Sequence, residues 1–216
     1  MTYIQLLDQS CGVLLLSAVL VLWRRELSVL IRVLALQGVA LAGLVTVLAV
    51  HEGSAELGAV AAGTLVLRGA VLPSLIWRAL GSSRTGRETR PVVNVATSLL
   101  AAAILALIAY AVSQPLVDLA PSPATQAVPV AVTVVLIGLF VLVTRRRAIA
   151  QVVGYLVIDN GITAVAFLTT AGVPLLVELG VSMDVLFVVL ILQVLTTRMR
   201  ETFGDTDLDG LRELHD

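Results

Sequence analysis

Gln151-Val152-Val153-Gly154-Tyr155-Leu156-Val157-Ile158-Asp159-Asn160-Gly161-Ile162 is the stretch that decides the fold. One carboxylate stands in the middle of an apolar run long enough to cross a hydrocarbon core of about 30 Å. A soluble core strand or helix would not need twenty such residues, and an aspartate at bilayer depth costs at least a few kcal/mol to insert. Asp159 lies twelve residues beyond Arg147, about 18 Å along a helix, which puts it near the midplane. A second acid repeats the pattern. Asp184 precedes Arg198 by fourteen residues, about 20 Å, on the next apolar run.

Working outward, the composition agrees. The 216 residues are 58% hydrophobic and 13% charged, whereas soluble domains carry about a quarter charged residues. Apolar runs of membrane length predict seven spans, at roughly 3–23, 27–50, 56–77, 92–113, 124–143, 149–171 and 175–196. Arg24 and Arg25 follow the first run instead of preceding it, so it reads as a retained span and not a secretory signal.

Charge placement gives an independent test. The chain has no lysine, and its arginines segregate. Arg24 and Arg25, then Arg78, Arg84, Arg87 and Arg90, then Arg145, Arg146 and Arg147, then Arg198, Arg200 and Arg212 occupy alternate connections and the tail. The connections around Glu52, Asp118 and Gly172 carry none. By the positive-inside rule the amino terminus lies outside a cell membrane and the carboxyl tail in the cytoplasm. The net charge of −1 argues against a nucleic-acid partner.

The predicted organisation is a first three-helix unit over 1–80, a linker with a fourth helix and outer loop over 81–123, a second three-helix unit over 124–197, and an acidic tail over 198–216. The loop from Gln114 to Pro129, with Pro115, Pro121, Pro123 and Pro129, is expected to interrupt helix. A shift of about 122 residues overlays Trp23-Arg24-Arg25 on Arg145-Arg146-Arg147, and Gln37-Gly38 on Asp159-Asn160. The two units then run in the same direction, with span four as the odd helix that allows it. Chance likeness among leucine- and valine-rich helices is the competing account.

Polar residues at depth are the candidate functional groups. Asp159 and Asp184 on consecutive antiparallel helices can share one depth and pass a proton through a short water chain; the structural alternative is an interhelical hydrogen bond worth about 0.6–2 kcal/mol. Arg68, ten residues before Arg78, is too deep for easy snorkelling and should face protein, water or a carboxylate. A purely structural salt bridge is its alternative role. Pro73 can bend span three. Gln37 and Asn160 are supporting polar groups, and Glu178 at the outer start of span seven can mark the mouth of a path. Arg32 reads as a snorkelling residue. Gly38, Gly43, Gly63, Gly154 and Gly161 are read as helix-packing positions. Cys11 is alone and His51 and His215 are far apart, so no metal, haem or other cofactor site is expected. The segment Asp205-Thr206-Asp207-Leu208-Asp209-Gly210 has calcium-loop spacing, but Asp216 stands where the closing glutamate is required.

Gly154-Tyr155-Leu156-Val157-Ile158-Asp159-Asn160-Gly161-Ile162 resembles the acid-Asn-Gly motif of the hydrogenase-4 membrane component E family, in which glutamate commonly fills the acidic place. The last three spans also resemble the small three-helix K subunit of respiratory complex I and its counterpart, the C component of multisubunit sodium/proton antiporters. Asp159 and Asp184 stand where the K subunit carries membrane glutamates. The ending Asp207-Leu208-Asp209-Gly210-Leu211-Arg212-Glu213-Leu214 is similar to that protein's tail, and Arg68 before a proline matches a basic residue of component E. The resemblance extends over nearly the whole chain and is strongest over 145–216. It implies an all-α integral membrane subunit of a hydrogenase-4-like or formate-hydrogenlyase-like assembly. Asp159 and Asp184 would relay protons or sodium ions beside larger antiporter-like subunits, while redox catalysis and its cofactors belong to the partners. A self-contained secondary transporter and a passive scaffold are the other readings.

Overall fold

A computed structural model describes residues 2–24, 26–80, 94–145 and 148–170. The expected seventh span, with Asp184 and Glu178, most of the linker and the acidic tail lie outside the described residues.

The described residues are helical throughout, with no strand among them. They form α1 (Tyr3–Trp23), α2 (Leu27–Glu52), α3 (Ala55–Thr64), a π-helical segment (Leu65–Val71), α4 (Leu72–Leu80), α5 (Val95–Leu119), α6 (Pro123–Gln126), α7 (Val128–Thr144) and α8 (Ala148–Thr170). α3, the π segment and α4 run on as one rod, and α6 leads into α7. Among the described residues this makes six helical stretches long and apolar enough to span a bilayer. In lipid every backbone donor needs an internal partner, and continuous helix supplies it. The protein is a multi-pass membrane protein.

Turn chemistry fixes the helix ends. Gly53 closes α2 at φ 64°, a left-handed conformation that costs a side chain but not glycine. Ser54 then caps α3 by accepting the Leu57 N–H at 3.3 Å, and Asn94 caps α5 by accepting that of Thr97 at 2.8 Å. Arg145 ends α7 and reaches across the bundle. Its buried guanidinium donates from Nη2 to the carbonyls of Val21 (2.9 Å), Leu22 (3.3 Å) and Arg24 (3.0 Å). These are C-terminal carbonyls of α1, where no helical N–H follows and a cation meets the negative end of the helix dipole.

The prolines correct one expectation. Pro115 does not end span four; α5 runs through it to Leu119. Its position near the helix end sacrifices only the bond its missing N–H would make to the preceding turn. Pro123 and Pro129 stand in the first turns of α6 and α7, where an N–H has no helical acceptor anyway.

α1, α2, α8 and α7 close a four-sided bundle in which each packs on the next, with the rod of α3, the π segment and α4 against α2, and α5 against α7 and α1. The pairs α1/α7 and α2/α8 are those that the 122-residue shift overlays. Small residues set the closest approaches. A Cβ on Gly161 would lie 2.8 Å from the backbone nitrogen of Val135 on α7. Gly154 and Gly138, the latter not singled out in the sequence, keep the same seam tight. Among the described residues Gly63 has no neighbour within 4 Å and Gly43 meets Ser10 Oγ only at 3.7 Å, so neither makes there the close packing expected of it.

Candidate functional site: a buried polar cluster at membrane depth

The site grows from two local features. On α8, Asp159 and Asn160 are successive residues that both point into the bundle, and Thr163 follows Asp159 by one turn on the same face. Asp159 stands nine residues from one end of the Ala150–Thr170 span and eleven from the other, about 14 and 16 Å of helix. On the rod packed against α2, the regular α pattern widens to π over Leu65–Val71, with the Leu72 N–H reaching back to the Leu67 carbonyl. Pro73 follows at once. Its ring crowds the carbonyl four residues earlier and offers no N–H to it, which favours a widened turn at that place. Arg68 sits in the middle of this segment.

The π segment presses on α2 at Gly38. A Cβ there would fall 2.5 Å from the carbonyl carbon and oxygen of Arg68. Only glycine permits this approach, and it lets the arginine side chain pass α2 to reach α8. Arg68 is buried, 3% exposed, as is Asp159 at 9%.

Arg68 and Asp159 form a buried ion pair through Nη1 and Oδ2. The same Nη1 donates to Asn160 Oδ1 at 2.8 Å, and Nη2 donates to Thr163 Oγ1 at 2.9 Å. Asn160 Nδ2 donates to Gln37 Oε1 on α2 at 3.1 Å, and Gln37 Nε2 lies 3.5 Å from the Leu14 carbonyl of α1. Ser17 Oγ donates to that carbonyl at 2.7 Å. One connected set of polar groups therefore crosses α1, α2, the π segment and α8. The Thr64 hydroxyl, one turn from Arg68, is buried without a hydrogen-bond partner among the described residues.

Four of the expected residues, Arg68, Asp159, Asn160 and Gln37, are thus brought together; Asp184 and Glu178 lie outside the described residues. Thr163 is a member that sequence reasoning missed, although its place one turn after Asp159 was a signal. Between an arginine and a carboxylate at this depth, each charge offsets the other's desolvation, and the neutral donors and acceptors around them hold the geometry. Chemically, the cluster can hold a proton or a charge inside the bundle and pass it along only by rearranging the ion pair.

The chain is 51% identical over 98% of its length, and 96% of the relative's, to the uncharacterized protein Rv0085 of Mycobacterium tuberculosis. It is 33% identical over 117 residues to hydrogenase-4 component E of Escherichia coli K12, and to that of Shigella flexneri. That match covers 54% of this chain and 54% of those relatives, so the chain aligns with about half the length of the hydrogenase components. No family model and no solved structure matches it.

Proposed function

The chain belongs to one family with the mycobacterial protein, and we propose that it is a membrane subunit of a hydrogenase-4-like, complex I-related assembly, contributing intramembrane carboxylates to proton or sodium movement driven by electron transfer in partner subunits. The half-length relationship to hydrogenase-4 component E supports the assembly. The observation that carries the relay is the buried Arg68–Asp159 pair with its polar surround. A membrane bundle that needed only packing would do better with leucine there, because isolating two charges from water costs several kcal/mol before their attraction returns any of it.

In this reading Asp159 and Asp184 are the relays. Arg68 offsets the charge on Asp159, a proton or cation reaching Asp159 loosens the pair, and Gln37 and Asn160 keep the pair aligned. Glu178 marks the mouth on the side without arginines. The amino terminus lies outside the cell membrane, and the two three-helix units repeat in one direction. Larger antiporter-like subunits dock beside it in the membrane, and redox catalysis belongs to peripheral partner subunits.

A second reading is favoured by a specific observation: Nη1 and Nη2 of Arg68 are each matched to an acceptor on α8, which suits a static staple in a scaffold. The two readings separate in the assembled complex. Asp159→Asn combined with Arg68→Gln removes both charges and keeps shape and hydrogen bonding, so the bundle should still assemble. Loss of proton uptake with assembly intact supports the relay. Unchanged proton movement in that variant sinks the relay and leaves the staple.

A further inference from the structure

Arg32 makes no use of the cluster just described, and its surroundings have the form of a lipid site. It lies five residues into α2, about 7.5 Å along the helix from Leu27, exposed and within snorkelling reach of the arginine-bearing end. Among the described residues it forms no ion pair with a carboxylate. Instead its guanidinium stands 5.6 Å from the centre of the Trp77 ring on α4, with Arg78 exposed beside it. An aromatic face holds a guanidinium in place and leaves its N–H edges pointing outward. Further into the membrane on the same stripe of α2 come Leu36 and Val39, at the i+4 and i+7 positions and 44% and 47% exposed.

We propose that the seam between α2 and α4 binds one anionic phospholipid, with Arg32 on the headgroup phosphate and an acyl chain along Leu36 and Val39. Charge complementarity and the order of the groups carry the assignment. A fixed, exposed cation at the arginine-bearing end is followed inward by an exposed apolar track, in the sequence in which a phospholipid offers phosphate and then hydrocarbon. Trp77 closes the cation's other face and supplies an indole at interfacial depth. The track ends beside the π segment, since a Cβ on Gly69 would meet Val39 at 3.4 Å. Occupancy of the seam would therefore brace α2 against the rod that carries Arg68.

Arg24 is the internal control. It stacks on Trp23 at the same end of the bundle, but its inward neighbours on the helix face, Leu20 and Ser17, are half-buried and buried. Bulk surface charge would treat Arg24 and Arg32 alike, whereas a built site would not.

The test is native mass spectrometry of the purified full chain, released from nanodiscs containing equal amounts of phosphatidylglycerol and phosphatidylcholine. One phosphatidylglycerol should be retained in preference to phosphatidylcholine. Arg32→Gln should weaken its retention about five-fold, while Arg24→Gln leaves it within about two-fold. Arg32→Lys, which keeps the charge and loses the planar fork, should fall between. Added glycerol phosphate at millimolar concentration should not displace the lipid, because it lacks the chain that fills the apolar track. Equal retention of the two lipids, equal loss in the Arg24 and Arg32 variants, or displacement by glycerol phosphate would each overturn the site. A melting temperature unchanged by Arg32→Gln in detergent alone keeps misfolding from imitating the expected result.

Discussion

α5 and α8 are apolar helices of similar length, yet they spend that length differently. α5 buries only Ser98, Ala102, Ala109 and Ser113, and turns Leu100, Leu107 and Val112 outward. α8 buries Asp159, Asn160 and Thr163 together with Val153, Leu156, Val157 and Phe167. Lipid tails are as apolar as leucine, so burying leucine inside a membrane bundle gains little by transfer from lipid. What separates an inner helix from an outer one is the polar group that lipid cannot accept and the small residue that lets a neighbour approach. α5 has no charged residue along its spanning length before Asp118; α8 has Asp159, with Gly154 and Gly161 on its tight seam.

The sharpest way to break the comparison is to strand a charge. Asp159→Leu leaves Arg68 buried without its counter-charge and should destabilise the bundle by about 3–5 kcal/mol, read from reversible unfolding in mixed detergent micelles. Leu107→Ala on α5 should change the same measurement by less than about 0.5 kcal/mol. Comparable losses in both would mean that α8 is no more interior than α5.

Next in size is the close approach that delivers the arginine. Gly38→Ala forces α2 off the π segment and should cost about 1–3 kcal/mol. A neutral outcome would show that the backbone contact is not tight. Smaller still is Gln37→Leu. It removes the acceptor of Asn160 Nδ2 and should cost about 0.6–2 kcal/mol, with the Arg68–Asp159 pair left in place.

Much of this arrangement is legible in the residues. Length and hydropathy locate the six spans found among the described residues, and Arg68 demands a partner because no side-chain rotamer takes a guanidinium from that depth to water. Gln37 emerges from overlaying the two arginine-flanked halves, which sets it on Asp159, and in the structure it accepts a hydrogen bond from the next residue, Asn160. The partner itself is not legible: Arg68 and Asp159 are 91 positions apart, and periodicity describes one helix at a time. Depth alone sets Asp159 level with Asp184, which lies outside the described residues, and it says nothing of the arginine that a neighbouring rod brings to Asp159. The π segment is also hidden, since Pro73 signals a disturbed helix without saying whether it kinks or widens. At Pro115 the usual breaker rule fails because the proline falls close to the helix end, with little left to break.

The most direct measurement is a double-mutant cycle on Arg68→Gln and Asp159→Asn, scored by unfolding free energy in micelles. Each single change should cost more than the double change, with a coupling of about 1–3 kcal/mol between the two sites. Costs that simply add would contradict this, since two charges that do not sense each other cannot be the pair on which the site is built.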